Sequence, residues 1–362
     1  MRASLLLQDG TTFIWDSFGY EGNTMGEVVF NTGMIGYTET LTDPSYKWQI
    51  LVFTYPLIGN YGIPDFDVRD SFWIRSYFES DALHLSGLIV SEYSESYNHF
   101  EAKQSLGSFL KEQHIPAITG IDTRRLTEHI REHGAMPGKI ILETIPDTLE
   151  FKDPNEELLA YAVGTKEVIR YSATATHKKN KTLIVVDMGV KNNMLRRFLS
   201  LGVDIVRVPG NYPFMDGSIE FDGIFVSNGP GDPARYTETI DEIRKALDAK
   251  VKIFGICLGN QLLALASGAK TYKLLYGHRG QNQPVKDLRT DKCILTSQNH
   301  SFAIDESTLP KHIIPWMKNI NDGTNEGIYF ADREASSVQF HPESSPWPHD
   351  SSYLFEDFVA KL

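Results

Sequence analysis

Val251–Ser267 reads VKIFGICLGNQLLALAS: a short apolar run, a cysteine set among glycines, then an apolar stretch of helical character. A strand that turns this abruptly into a helix projects the residue at the bend from the carboxyl edge of a sheet, the arrangement known as a nucleophile elbow. Gly255 and Gly259 let the backbone bend and a substrate approach. A thiol at a helix N-terminus also feels the positive end of the helix macrodipole, which favours thiolate and so nucleophilicity at neutral pH. The backbone N–H of Leu258 would point toward the same spot and could stabilise an oxyanion. The bland reading is a buried structural cysteine, the usual fate of a free one. The glycine pattern at a strand–helix junction turns the balance toward a nucleophile at Cys257.

The same rhythm extends on the N-terminal side. Thr182–Asp187 (TLIVVD), Asp204–Pro209 (DIVRVP) and Gly223–Ser227 (GIFVS) are short apolar runs, separated by helical stretches near 190–201 and 238–249. Buried strands alternating with amphipathic helices predict a parallel sheet with helices on both faces. In the closing YLFEDFVAKL, Leu354, Phe355, Phe358, Val359 and Leu362 fall at helical spacing and read as core. The first ~150 residues differ: β-like runs at Glu27–Asn31 and Gln49–Thr54, turn clusters at Thr42–Ser45 and Ile58–Gly62, and one helix near 123–133. That helix is capped by Asp122 or Thr123, turns Leu126 and Ile130 to one face, and ends at Gly134. Residues 147–181 are rich in Asp, Pro, Asn, Lys and Thr. The expected organisation is a mixed β/α domain over 1–150, a linker over 151–181 and an α/β domain over 182–362.

Composition narrows the function. The chain has 362 residues, with 35 Lys plus Arg against 47 Asp plus Glu for a net charge of −12, which argues against nucleic acid or an anionic membrane as main partner. The one basic run, HKKNK at 177–181, reads as a solvated linker. With only Cys257 and Cys293, no disulfide framework or cysteine zinc cluster can form, and a reducing compartment fits. No apolar stretch approaches the ~18–20 residues of a membrane span, and MRASLLLQDG turns acidic before a signal core is complete. The expectation is a soluble, cytoplasmic protein.

A cysteine hydrolase needs a base. Gln339–Glu343 (QFHPE) ends an apolar run and carries His341 two residues before Glu343. In extended chain both project from one side, so the carboxylate could set the tautomer and orientation of the imidazole. A surface His beside a surface Glu is the alternative, and pairing with the elbow favours a Cys257–His341–Glu343 triad. Ser227–Pro233 (SNGPGDP) has the Gly and Pro content of a tight loop at the carboxyl edge of a sheet, where doubly wound folds bind ligands. It matches neither a dinucleotide fingerprint nor a Walker loop, and by itself is only a turn. His129–His133 (HIREH) has the spacing of one metallopeptidase class, but its Thr, Arg and Glu neighbours belong to a solvent face. His300 in SQNHSF competes with His341 as base. Lacking a carboxylate neighbour in the sequence, it reads as supporting or structural.

GICLGNQ, SNGPGDP and QFHPE, with these separations, resemble the class I, triad-type glutamine amidotransferase domain, whose fold is flavodoxin-like. Four further segments are similar to the small, glutamine-hydrolysing subunit of carbamoyl-phosphate synthetase. They are FNTGMIGYTETLTDPSYKWQILVFTYPLIGNYG at 30–62, GIDTRRLTEHIREHGAMPGKI at 120–140, DMGVKNNMLRR at 187–197 and SQNHSFAID at 297–305. The likeness covers nearly the whole chain, including a first domain that other amidotransferases lack.

The resemblance implies that Cys257 attacks the carboxamide of L-glutamine, that ammonia leaves, and that water hydrolyses the γ-glutamyl thioester to glutamate. His341 would act as base and then acid, and Glu343 would orient it. Carried over by motif, Ser45, Gly229, Gly231, Leu258, Gln261, Asn299, Ser301 and Phe302 would hold glutamine, with Ser45 reaching in from the first domain and Leu258 and Gly231 supplying oxyanion N–H groups. Ammonia would pass through a tunnel to a large-subunit partner, in a heterodimer or higher assembly of heterodimers. That partner makes carbamoyl phosphate from bicarbonate for arginine and pyrimidine synthesis. No cofactor or metal is expected in this chain; ATP, Mg and K are used by the large subunit. Two departures stand out: Asn260 where the family often has His, and Ser301 where it usually has Gly. The second matters if that backbone needs φ > 0, since a Cβ is costly there. Competing readings are a stand-alone γ-glutamyl hydrolase, an amidotransferase serving another synthetase, and a noncatalytic regulatory or scaffold subunit.

Overall fold

A computed structural model describes residues 1–173 and 180–362. The chain divides into two compact units, Met1–Asp70 with Arg75–Glu156, and Ser71–Ile74 with Glu157–Leu362.

The strands of the first unit are β1 (Arg2–Leu7), β2 (Thr12–Ser17), β3 (Thr24–Asn31), β4 (Gln49–Phe53), β5 (Leu57–Ile58), β6 (Ile63–Pro64), β7 (Gly87–Ile89), β8 (Glu92–Tyr93), β9 (Ala102–Gln104), β10 (Ala117–Thr119) and β11 (Met136–Leu142). Seven of them close into a barrel in the order β1-β11-β3-β4-β7-β10-β2, while β5 pairs with β8 and β6 with β9. Period-2 patterning drives β1, where Ala3, Leu5 and Leu7 are fully buried and the residues between them are not. Three helices accompany the barrel: α1 (Tyr37–Leu41), α2 (Leu106–Glu112) and α3 (Thr123–His133). The Asp122 carboxylate caps α3 by accepting from the Arg125 N–H, Leu126 and Ile130 are buried, and Gly134 ends the helix at φ 93°.

In the second unit the strands are β12 (Ile169–Tyr171), β13 (Lys181–Asp187), β14 (Val203–Pro209), β15 (Gly223–Val226), β16 (Ile253–Ile256), β17 (Lys270–Asp287), β18 (Cys293–Asp305), β19 (Ile313–Asn319), β20 (Asn325–Phe330) and β21 (Ala335–Val338). They form one sheet ordered β12-β14-β13-β15-β16-β21-β20-β19-β17-β18. The run β14-β13-β15-β16-β21 is parallel, as the alternating strands and helices predict. Antiparallel strands extend it on both sides. The helices are α4 (Leu159–Val163), α5 (Asn192–Ser200), α6 (Thr237–Asp248), α7 (Leu258–Ala266) and α8 (Tyr353–Lys361).

Strand β13 shows why the sheet is covered twice. Ile184 and Val186 point into a core shared with α6 and α7, whereas Leu183 and Val185 point into one shared with α5 and α8. The C-terminal stripe behaves as its spacing requires, with Leu354, Phe355, Phe358 and Val359 all buried. Of the segment 151–181, α4 and β12 fall in the second unit, and Lys181 begins β13. Residues 177–179 of the basic run lie outside the described residues. Among the described residues no helix is long and apolar enough to cross a membrane.

Because β13, β15, β16 and β21 are parallel, the segments that follow them emerge at one edge of the sheet. These are 187–191, 227–233, the bend at Cys257 and 339–343. The chain order reverses between β13 and β15, which is where open α/β sheets place their ligands.

Candidate active site

The bend between β16 and α7 is as tight as the sequence demands. Cys257 sits at φ 55° and ψ −103°, a left-handed conformation unusual for a residue with a Cβ. The neighbouring glycines make this possible. A Cβ on Gly259 would lie 2.1 Å from the carbonyl oxygen of Val226, and one on Gly255 would lie 2.8 Å from the Gly259 backbone, so helix and strands meet closer than any side chain permits. The Cys257 N–H donates to the Val338 carbonyl at 2.9 Å. Its thiol is buried, 3.6 Å from the carbonyl oxygen of Asn299. Leu258 opens the helix, where a first-turn N–H has no partner within the helix.

His341 lies three residues beyond β21, its N–H bonded to the Ser297 carbonyl at 2.8 Å. Its ring is buried and Nδ1 is 2.8 Å from Glu343 Oε1, the i, i+2 relation expected of extended chain. Nε2 is buried with no hydrogen-bond partner among the described residues, and the Cys257 thiol is one of the neighbours that raise the proton affinity of the ring. Burial by itself would depress the imidazole; the adjacent Glu343 carboxylate outweighs that and holds it above its ordinary value. Glu343 is fully buried, and burial works against its charge, but Lys191 and then His341 hold the carboxyl below its ordinary range.

Lys191 is the residue that sequence reading missed. Its Nζ lies 2.6 Å from Glu343 Oε1, the same oxygen that His341 contacts. Asp187 shapes the loop that delivers it: Oδ1 accepts from the N–H groups of Gly189 and Val190 at 2.9 and 2.8 Å, and Oδ2 from Arg207 Nε at 2.7 Å. The partner carboxylate lies 152 positions downstream. Only the run DMGVKNNM, already singled out as a whole, marked the region.

The other candidate residues are distributed as follows. Gln261 donates through Nε2 to the Phe302 carbonyl at 2.7 Å and to Gln339 Oε1 at 3.1 Å, tying α7 to β18 and to the segment after β21 that carries His341. Asn260 joins that network, donating to Gln339 Oε1 at 3.1 Å and accepting from Ser337 Oγ at 2.8 Å, so its departure from His is absorbed by buried amides. A Cβ at Gly229 would strike the Met188 carbonyl at 2.0 Å, and one at Gly231, which has φ +91°, would lie 2.4 Å from Tyr236 Oη. Asn299, Ser301 and Phe302 all belong to β18. Ser301 is not in the left-handed region, and its hydroxyl accepts from the buried Arg279 guanidinium, so a side chain costs nothing there. Ser45 belongs to the first unit, in a short 3₁₀ turn, with its N–H donating to Asp43 Oδ1 at 2.9 Å.

Two expectations need correction or closure. His300 does have a carboxylate neighbour, supplied by the fold: Glu326 Oε1 is 3.9 Å from Nε2. Its Nδ1 faces the Phe302 carbonyl at 2.8 Å and Nε2 faces Gln298 Oε1 at 3.2 Å, so neither nitrogen is free in the manner of His341 Nε2. On α3, His129 and His133 stack on each other, and His129 Nε2 pairs with Asp9 at 2.6 Å, a helix-surface arrangement. They are not among the residues grouped as possible metal ligands in the described structure.

Residues 5–140 match the family described as carbamoyl-phosphate synthase small chain, CPSase domain, and residues 184–361 match glutamine amidotransferase class-I. The chain is 44% identical to the carbamoyl phosphate synthase arginine-specific small chain of Yarrowia lipolytica, over 99% of this chain and 82% of that one. It is 46% identical to the multifunctional protein pyr1-3 of Dictyostelium discoideum, over 100% of this chain and 17% of that protein. The chain thus spans about a sixth of the length of the multifunctional relatives it matches. Among solved structures, a glutamine amidotransferase of Thermotoga maritima aligns with 51% of this chain and 86% of its own at a TM-score of 0.37 and 18% identity.

Proposed function

The chain belongs to the carbamoyl-phosphate synthase small-chain family and carries its glutamine amidotransferase domain, and from that premise we propose that it hydrolyses L-glutamine through a thioester on Cys257 and supplies the ammonia to a large-chain partner. The observation that carries the reading is the state of His341. One ring nitrogen is fixed by a buried carboxylate, and the other is buried, unpartnered and in the company of the only thiol at the elbow.

The chemistry follows from that arrangement. The Cys257 thiol gives its proton to His341 Nε2, and the thiolate attacks the carboxamide carbon of glutamine. Negative charge on the carbonyl oxygen is met by the Leu258 N–H, with the Gly231 N–H as the second donor carried over by motif. As the carbon–nitrogen bond breaks, His341 returns the proton to the leaving nitrogen, and ammonia departs. A water then attacks the thioester while His341 accepts its proton; the carbon–sulfur bond breaks, the thiol is re-protonated, and glutamate leaves. Glu343 keeps Nδ1 protonated and the ring turned toward sulfur throughout. Gly229, Gln261, Asn299, Ser301 and Phe302 are the proposed surroundings of the substrate's α-amino and α-carboxylate groups.

Arginine-specific small chains and fused multifunctional proteins are both among the relatives, and the partner and the use of its product are proposed on that footing. The test is ammonia release from glutamine by the purified chain, alone and with a large chain. Cys257→Ser should abolish release in both settings, while the mixture keeps synthesis from free ammonia. Full glutaminase activity in Cys257→Ser would overturn the mechanism. A wild-type chain that releases no ammonia from glutamine, alone or with a large chain, would favour the noncatalytic scaffold reading.

A further inference from the structure

On the antiparallel side of the second unit's sheet, three side chains converge that the proposed reaction does not use. His278 of β17 and His300 of β18 are cross-strand partners, and Glu326 of β20 lies beside both. His278 Nδ1 is 3.5 Å and His300 Nε2 is 3.9 Å from Glu326 Oε1. One ligand atom from each of the three lies within 4.8 Å of the others. Two donors that each sit about 2.0–2.2 Å from a tetrahedral zinc are about 3.4 Å apart, so the two histidine–carboxylate separations are near coordination distance, and the two histidine nitrogens would close to it from within 4.8 Å.

The outer shell is already built. His278 Nε2 faces Asp322 Oδ2 at 2.8 Å, and His300 Nδ1 faces the Phe302 carbonyl at 2.8 Å. Both partners are acceptors, so each outer nitrogen carries a proton; in the neutral ring His278 Nδ1 presents its lone pair to the centre, while His300 Nε2, 3.2 Å from Gln298 Oε1, would exchange that contact for the ion on binding. Metal-ligating histidines are held in this way, with a carboxylate or a carbonyl fixing the tautomer from behind. Glu326 Oε1 is oriented by Asn319 Nδ2 at 3.3 Å and Thr324 Oγ1 at 3.5 Å. Two of the inward atoms are orphans: His278 Nδ1 and Glu326 Oε2 are buried and make no hydrogen bond. The side chains themselves are 10% exposed for His278, 1% for His300 and 0% for Glu326, so water does not compensate them. A buried carboxylate oxygen with no donor is expensive.

We propose that His278, His300 and Glu326 bind a divalent borderline transition-metal ion, zinc foremost, in a two-histidine, one-carboxylate site that clamps β17, β18 and β20 together. Imidazole and carboxylate donors in tetrahedral reach suit zinc better than magnesium or calcium, which prefer all-oxygen sets. The competing occupant is a proton on His278 Nδ1, shared with Glu326. The site stands independently of the glutaminase reading, because none of its three ligands has a role in that reaction.

The experiment uses the 362-residue chain with both cysteines replaced, Cys257→Ser with Cys293→Ser, so that no thiol can bind metal. After chelator treatment it is titrated with zinc against a chromophoric competitor and, separately, with cobalt(II). One zinc per chain is expected, with a visible cobalt spectrum of tetrahedral nitrogen and oxygen ligation. Glu326→Gln should abolish both. Asp322→Asn, at a 42% exposed side chain whose loss leaves the core intact, should weaken zinc by about 10–100-fold. The proposal is overturned if the chain takes up no stoichiometric zinc, or if uptake is indifferent to Asp322→Asn and Glu326→Gln.

Discussion

Replacing Glu343 with glutamine separates what this carboxylate does for the reaction from what it does for the fold. Its Oε1 is 2.6 Å from Lys191 Nζ and 2.8 Å from His341 Nδ1, with all three side chains buried. Removing the charge strips the Lys191 ammonium of its counter-ion at that site, and breaking a buried pair from one side costs about 3–5 kcal/mol. For a folding unit of this size about 2–4 °C of melting temperature accompanies each kcal/mol, so Glu343→Gln should melt about 6–20 °C lower. Adding Lys191→Met removes the stranded charge as well. A neutral pair is often as stable as the ion pair it replaces, and most of the lost melting temperature should return. Catalysis should not return, because His341 still lacks the anion that fixes its tautomer. By analogy with other triads the fall in kcat is on the order of 10⁴-fold, about 5 kcal/mol of barrier. Thermal melts of wild type, both single variants and the double variant, with ammonia release measured on each, complete the cycle. A double variant no more stable than Glu343→Gln, or one that recovers glutaminase activity, would refute the reasoning.

Two further outcomes follow from the same geometry. Tyr236 Oη donates to the Pro230 carbonyl at 2.8 Å and accepts from the Ala160 N–H at 3.0 Å, bracing the 227–233 loop; Tyr236→Phe should cost about 1–3 kcal/mol in urea unfolding and lower kcat more than it raises KM. In metal-free chain, burial depresses His278, but Asp322 and then Glu326 overcome it and push the ring up to about 9 from an ordinary 6.5. The stabilisation this provides, about 3 kcal/mol, is fully present below pH 6.5 and lost as pH rises through about 9. His278→Gln should erase that slope in melts taken between pH 6 and 10, and an unchanged slope would assign it elsewhere.

The sequence makes the proposed catalytic edge legible because its signals are local. A cysteine among glycines, a histidine two residues before a glutamate, and a Gly-Pro loop after a strand each encode geometry within a few residues. The Asp122 cap and the Leu126/Ile130 face of α3 are legible for the same reason. What stays hidden depends on distant pairing. Closure of the barrel joins β1 to β11 and β2 to β10, and β2 gives no clean alternation because Ile14 and Trp15 are both exposed. The long β17–β18 hairpin is interrupted by register shifts after Lys273 and Gly280, which break any period. Lys191 and Glu326 are equally silent, since each acts on a group far away in the chain. For His300 the absence of a neighbouring acid in the sequence misled, because the fold brings Glu326 from another strand.

The elbow carries a consequence for motion. With its amide bonded to Val338, and with Gly255, Gly259 and Val226 at separations that leave no slack, the backbone under the sulfur has no small displacement open to it. Segments of this kind exchange their amide hydrogens only when a large part of the domain opens. The proposed nucleophile therefore rides on tightly packed backbone, and whatever breathing the proposed reaction needs to admit a substrate and release its fragments belongs to the loops around it.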